Sequence, residues 1–429
     1  MHQPALDGAA APAGLLRRNG VYLAAFLMDC ALSFGSVGSY YRAKAEFHAG
    51  PADLGLLTLV TAGSYVISCL VFGRLSDRWG RRRLIVCGAV LDAVALVLTA
   101  GAGSFRQICL LMGLFSLGQG AYWPALEADI GDHSTPPELS RRLGRFNVAW
   151  CLGFVAGWPA AGIIGQAFGS GPAPAAGGPA AGAEGLFSGQ RLVLVIGGAL
   201  VVIGLAAYLV RRFEPEGLAE EAPDRVAAGR AAERAVPFWY IALILNFAAM
   251  GLSGMLRSQV AEVTGGGRSA LGGLYGALFF GAQVSIFAAL ALWRGWHYRA
   301  APLVAGSLAA IGGAVLCGLF PARAVFAAGC LLGGIGCGVA YYSSIYYSVA
   351  VASGRGHRGG IHEAVLGAGG AVVPFLGGLL GASSWARASF QWTPGVPFLF
   401  AAAIVALGFL AGLAVYLRLR SRAPDAPDR

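Results

Sequence analysis

Twelve apolar stretches, each long enough to cross a lipid bilayer as a helix, constrain this chain of 429 residues more than any other feature. A hydrocarbon core about 30 Å thick takes roughly 20 residues of α-helix. Windows of that length centre near Asp29, Gly63, Ala93, Phe115, Ala156, Gly198, Ile244, Phe280, Ile311, Gly336, Gly370 and Ala406. In lipid every backbone N–H and C=O must be paired within its own segment, so these stretches read as membrane-spanning helices. Charged residues make up 12% of the chain, about half the share of a soluble domain. The 66 glycines would weaken soluble helices, but between membrane helices small residues let backbones approach closely. The first apolar run continues past Asp29 to about Tyr41 without a small-x-small cleavage site, so it is expected to stay in the mature protein.

The arginines orient the bundle. An even number of spans puts both termini on one side, and that side then carries 23 of the 31 Lys and Arg residues. The positive-inside tendency makes it the cytoplasmic side, in a plasma membrane of the bacterial inner-membrane type. Arginines dispersed among short loops account for the net charge of +10 and speak against a nucleic-acid partner. The stretch Arg211–Arg234 holds five Arg and six acidic residues and reads as a solvated, partly helical linker. The expected organisation is a six-span half over 1–210, a cytoplasmic linker over 211–236 and a second six-span half over 237–429. The Gly/Ala/Pro-rich stretch Gly169–Gly185 reads as an external loop.

Between the second and third spans lies Gly73-Arg74-Leu75-Ser76-Asp77-Arg78-Trp79-Gly80-Arg81-Arg82-Arg83, with five arginines and an aspartate in one short turn. This G-x-L-S-D-R-x-G-R-R-R pattern resembles the loop 2–3 signature of the major facilitator superfamily of secondary transporters. Gly118-Gln119-Gly120-Ala121-Tyr122-Trp123-Pro124-Ala125-Leu126-Glu127-Ala128-Asp129-Ile130 is similar to that family's fourth-helix ending, and Gly144–Gly165 to its fifth helix. The resemblance implies an all-α membrane fold of twelve helices in two pseudo-symmetric six-helix bundles. It further implies a conformational gate at Gly73, Asp77, Arg78, Gly80 and Arg81, with Asp129 pairing Arg81. The implied activity is alternating-access transport of a small solute by a monomer, driven by a proton or sodium gradient and needing no cofactor.

Internal offsets agree with a doubled chain. Pro159-Ala160-Ala161-Gly162 corresponds to Pro374-Phe375-Leu376-Gly377, and the same offset carries Gly80 to Gly295 in a worn copy of the signature loop. Gly118-x-Gly120 with Tyr122-Trp123 corresponds to Gly336-x-Gly338 with Tyr341-Tyr342. Parallel halves put a solute site near the midplane between them.

Asp29 lies near mid-bilayer in the first span, where an ionisable group is costly unless it faces a cavity or a partner. It is the leading candidate for carrying a coupling proton, with Glu127 second; Glu127 reads equally well as a solvated helix end. Asp92, at similar depth in the third span, reads as structural. Glu363 opens the eleventh span and either complements the helix dipole or joins the gate. Tyr122, Trp123, Trp150, Tyr342 and Tyr346 supply aromatic walls for a cavity, and Asn147, Asn246 and Gln283 polar groups to orient a ligand. Arg257 and Gln259, near the external end of the seventh span, are placed to attract an entering anion. Gly157-Trp158-Pro159-Ala160-Ala161-Gly162 resembles the fifth-helix pattern of exporters with a Trp displacing the Gly-Pro step, a weak tilt toward efflux.

An enzyme is not expected, since the six histidines read as loop or span-end residues and no catalytic cluster emerges. The eight cysteines fall inside spans without a C-x-x-C pair, so neither disulfides nor a metal site are indicated. A G-x-x-x-x-G-K phosphate loop does not occur, which argues against an ATP-driven pump. The alternative from another class is a transporter-like membrane scaffold or sensor without transport.

Overall fold

A computed structural model describes residues 12–133, 136–168, 189–211, 225–350 and 355–421; within these, the side chains at 12–17, 73–74, 77, 131, 136–141, 143, 225–235, 291, 294, 349–350, 355–360 and 419–421 lie outside the description. The chain forms α1 (Pro12–Phe47), α2 (Pro51–Trp79), α3 (Arg81–Ala100), α4 (Phe105–Asp132), α5 (Pro136–Ala167) and α6 (Gly189–Leu209) before the polar stretch. After it come α7 (Arg225–Thr264), α8 (Ser269–Leu292), α9 (Ala300–Leu319), α10 (Arg323–Ala350), α11 (Arg355–Gly381), the short α12 (Ser384–Ser389) and α13 (Val396–Ser421). Helix α7 thus begins inside the partly helical linker stretch, its apolar span running Val236–Thr264, and the twelfth span is α13.

Among the described residues, eleven helices are long and apolar enough on their own to cross a membrane. The other long helix, α4, has the length at 28 residues, but Gln119, Tyr122, Trp123 and Glu127 lower its apolar character. Large apolar side chains left exposed on outer faces, such as Ile67 and Leu70 on α2, Val202 and Ile203 on α6, and Leu407 and Leu410 on α13, suit contact with lipid.

Helix α1 packs on α5 and α6, α3 on α4 and α6, and α2 on α4, which gathers the first six helices. In the same way α7 packs on α10, α11 and α13, α8 on α10, and α9 on α10 and α13. Two crossings, α2 with α11 and α5 with α8, carry most of the contact between the groups. Both depend on missing side chains. A Cβ on Gly378 would lie 2.3 Å from the Pro51 carbonyl oxygen, and one on Gly55 2.8 Å from that of Pro374. At α5–α8 a Cβ on Gly273 would lie 2.4 Å from the Trp158 carbonyl oxygen, and one on Gly162 2.3 Å from that of Ser269.

Further contacts latch the end of the bundle remote from the polar stretch. Tyr41 and Thr264 share a hydrogen bond of 2.5 Å between hydroxyls, and Lys44 pairs with Glu262. Gln259 Nε2 donates to the Pro51 carbonyl over 3.2 Å, and Ser269 Oγ to that of Gly162 over 2.8 Å. Gln259 is fully buried in this latch, not free to draw in a solute.

At the other end, Gly80 closes α2 and opens α3 with φ +89°, a backbone region that glycine adopts without steric cost. Its N–H donates to the Ser76 carbonyl over 3.1 Å, and Arg81 reaches both Ser76 Oγ and, at 3.2 Å, Asp132. Arg78 is exposed. Gly73 falls within α2, but its surroundings and the Asp77 side chain, at two of the expected gate positions, lie outside the description.

Candidate functional site: a cavity between the two helix groups

A cavity of about 200 Å³ lies between the groups and is lined by α1, α2, α4 and α5 from one and by α7, α8, α10 and α11 from the other. Its polar lining includes Asp29, Glu127 and Gln119 on the first side and Arg257, Gln283 and Glu363 on the second. The helices put them there by register. Asp29 and Ser36 are two turns apart on α1, and Tyr40 follows one turn later, so one stripe of α1 faces the opening. On α4 the same spacing carries Phe115, Gln119, Trp123 and Glu127.

Apolar walls close around these groups. Phe154 and Phe280 stack at 4.4 Å with 14° between planes, one from each side. Trp150 meets Phe287 and Tyr341 edge-on at 5.9 and 5.6 Å. Tyr65 donates from its hydroxyl to Glu363 over 3.2 Å, joining α2 to α11. Glu127 stands within electrostatic reach of Glu363, so two acids from opposite helix groups share one part of the cavity. Asp29 and Arg257 face each other in the same manner across α1 and α7. Among the described residues neither the Asp29 carboxyl nor the Arg257 guanidinium has a hydrogen-bond or ion-pair partner.

The sequence from residue 21 to 361 matches the model of the Major Facilitator Superfamily. The chain belongs to that superfamily. It is therefore a multi-pass membrane protein of a transporter family and not of an enzyme family. Its fold is also that of a bacterial homolog of the human lysosomal transporter Spinster, solved inward-facing and unoccupied, with TM-score 0.64 and 18% identity over 96% of this chain and 98% of that one. The nucleoside transporter NupG aligns with TM-score 0.62 and 12% identity, over 92% and 98%. Among curated proteins, a cis,cis-muconate transport protein of Acinetobacter baylyi is 28% identical over 123 residues, 27% of this chain and 29% of that protein. The multi-drug resistance efflux pump PmrA of Streptococcus pneumoniae is 31% identical over 115 residues, again 27% and 29%. The chain thus matches less than a third of the length of these curated relatives.

Within this superfamily fold the residues singled out from sequence divide into two sets. Asp29, Glu127, Glu363, Trp123, Trp150 and Gln283 line the cavity. Tyr122, Asn147, Asn246, Tyr342 and Tyr346 do not. Tyr122 is buried on α4 against Gly88 of α3, and its hydroxyl finds no partner among the described residues. Asn147 instead accepts from Trp150 Nε1 at 2.9 Å and so orients that indole. Asn246 is fully buried in α7, away from the lining. Tyr342 and Tyr346 turn to Trp296, at 5.9 and 5.0 Å, and Tyr346 stacks on His297 at 4.4 Å. On a helix such as α10, adjacent residues point about 100° apart, which is why Tyr341 reaches the cavity and Tyr342 does not.

Asp129 also departs from the expected pairing. It is held by Arg211, at the end of α6, and by the Tyr208 hydroxyl over 3.2 Å, while Arg81 takes Asp132 one turn further along α4. Asp92 accepts from Gln119 Nε2 at 2.5 Å, and Gln119 in turn accepts from Trp123 Nε1 at 2.6 Å. That chain ties a buried acid of α3 to the cavity wall. His362 is no loop residue: it is fully buried in α11, with Nδ1 2.8 Å from Ser344 Oγ. Tyr65, Gln119 and Tyr341 were not singled out as cavity residues from sequence; the α4 stripe Phe115-Gln119-Trp123-Glu127 was the signal that could have found Gln119.

Proposed function

We propose that this chain moves a small solute across the membrane by alternating access, coupled to a proton carried by Asp29. The observation that carries the reading is the Asp29 carboxyl: it lies in the middle of α1, lines the cavity between the two helix groups, and has no partner to fix it there among the described residues. An intramembrane acid without a structural partner is by default a functional group. Glu127, facing Glu363 across the same cavity, is the second candidate to bind the proton.

The two halves, 1–210 and 237–429, rock about the cavity, with 211–236 as the linker between them. The latch of Tyr41–Thr264, Lys44–Glu262 and the two glycine crossings supports assigning this structure to the state closed at the end remote from the linker. The arginine distribution supports a cytoplasmic linker and termini in a bacterial-type plasma membrane, so the latched end is the one away from the cytoplasm. The gate of that side is Arg78, Gly80 and Arg81 together with Gly73, Asp77 and Asp129. Transport needs one copy of the chain. The relatives' names give a muconate carrier and a drug efflux pump, and neither solute carries over from so short a match. The exporter-like run Gly157–Gly162 packs on α8, where Trp158 covers Gly276, so it bears on closure of the halves more than on direction.

The test uses protein in sealed vesicles under an imposed pH gradient, with a solute found by ligand-induced thermal stabilisation. Wild-type protein concentrates the solute against its gradient. Asp29→Asn still exchanges it downhill, binds it without pH dependence, and fails to concentrate it. Normal accumulation by the variant would make Asp29 structural. No movement of any stabilising solute by the wild-type chain would favour a sensor or scaffold.

A further inference from the structure

Arg257 is the least explained group in the molecule. A guanidinium at this depth costs free energy unless something compensates it. Arg42 shows the usual solution on the neighbouring helix: it bonds Glu46 at 2.9 Å and the carbonyls of Thr99 and Ala102. Among the described residues Arg257 has none of this. It projects into the cavity beside Gly370, where even a Cβ would come within 3.7 Å of Nη2. The charged residue that acts on it is Asp29, in the other group of helices, and the two form no ion pair.

We infer that Arg257 is the seat of the solute's carboxylate, and that the transported class is organic monoanions with a flat apolar body. This rests on the cavity being the solute site. The body lies against the stacked pair of Phe154 and Phe280, whose apolar surface lines the cavity close to the charged groups. The single charge follows from the other part of the cavity, where Glu127 and Glu363 would repel a second carboxylate.

The same arrangement couples the anion to a proton. With Asp29 ionised, Arg257 already has its counter-charge, and an incoming carboxylate would be a second negative group. When a proton moves from solution onto the Asp29 carboxylate, the guanidinium is left uncompensated and the anion neutralises it. Other groups near Asp29 are Cys30 on its own helix, Tyr122 on α4, Cys151 on α5 and Tyr341 on α10, while Tyr40 stands near Arg257; all are neutral in this range. Proton and anion therefore bind cooperatively, and by linkage the anion's affinity rises as the pH falls. Both cross in the same direction, so an inward proton gradient drives uptake.

The test is equilibrium binding to the full chain in detergent, read by tryptophan fluorescence and thermal stabilisation, and it needs no transport. Four probes share one ring system: 2-naphthoate, 2-naphthamide, 2-naphthylmethylammonium and naphthalene-2,6-dicarboxylate. Binding of 2-naphthoate in preference to the other three, strengthening from pH 8 to pH 6, is the expected result. Arg257→Gln should weaken naphthoate by roughly tenfold or more, because the anion loses its charged partner, and Arg257→Lys should recover part of it. Thermal stability of Arg257→Gln without ligand should stay close to wild type, which separates loss of a binding group from misfolding. Asp29→Asn should bind naphthoate as wild type does at low pH, at every pH. Preference for the ammonium, the amide or the dicarboxylate, naphthoate binding untouched by Arg257→Gln, or no binding of any probe at millimolar concentration would each overturn the assignment. Failure of transport in vesicles alongside pH-linked naphthoate binding would instead refute the carrier reading and leave this one standing.

Discussion

The cluster at the ends of α4 and α6 near the polar stretch and the charged pair in the cavity hold the same kinds of side chain in opposite ways. Asp129 is 4% exposed and is gripped by Arg211 and Tyr208, while the Arg211 guanidinium also sits 3.5 Å from the centre of the Tyr208 ring. Asp129 and Tyr208 lie in the first group of helices, and Arg211 follows two residues after the end of α6. Asp29 and Arg257 are drawn from different halves and remain apart. A charge pair inside one rigid body can be satisfied permanently and then serves the fold. Charges on two bodies that move past one another can only be satisfied part of the time, which leaves them available to a proton or a solute.

The contrast can be broken at its strong end first. Arg211→Ala strands a buried carboxylate and should destabilise the protein by about 3 kcal/mol, following the cost of splitting buried pairs. Thermal unfolding of purified protein in mild detergent checks this. Asp29→Asn in the same assay should change little, since no partner is lost. If the two variants are equally stable, the distinction between fold charges and function charges does not hold.

A smaller effect is expected at Asp92, which lies at the depth of Asp29 but is tied to Gln119 within the first half. Asp92→Asn keeps the shape and the acceptor oxygen, so stability should fall by less than about 1 kcal/mol. Solute accumulation in vesicles should keep its pH dependence. Loss of that dependence with Asp29 intact would move the coupling proton to α3.

The architecture was legible because hydropathy and glycine content act on whole segments. Even α4, which falls short of the other eleven in apolar character, stood out as an apolar window centred near Phe115. The acids of the cavity were legible for a related reason: an Asp or Glu within a span stands out against an apolar background. Polar aromatics do not. Tyr341 and Tyr342 are identical in sequence terms, and one residue of helical rotation sends the first to the cavity and the second to Trp296. Asp129 and Asp132 differ in the same way, one facing α6 and the other the start of α3, so the partner of Asp129 could not be read from the motif. Arg257 was visible as a charge near a span end, but that it has no partner among the described residues is a three-dimensional fact. His362 was read as a span-end residue and does stand at the start of the span Ile361–Gly381; its full burial against Ser344 was the part that the sequence did not show.

The most direct test of the rocking account is a pair of distance measurements by double electron–electron resonance in lipid nanodiscs. One pair of spin labels replaces Trp79 and Trp293 at the ends of α2 and α8 near the linker; the other replaces Phe168 and Trp385 at the opposite end, and all four side chains are more than half exposed. The account predicts reciprocal change between mildly alkaline and mildly acidic pH. As one pair shortens the other lengthens, and Asp29→Asn holds both in the distribution seen at low pH. Distances that stay fixed at both ends in every condition, or that lengthen together, would contradict it.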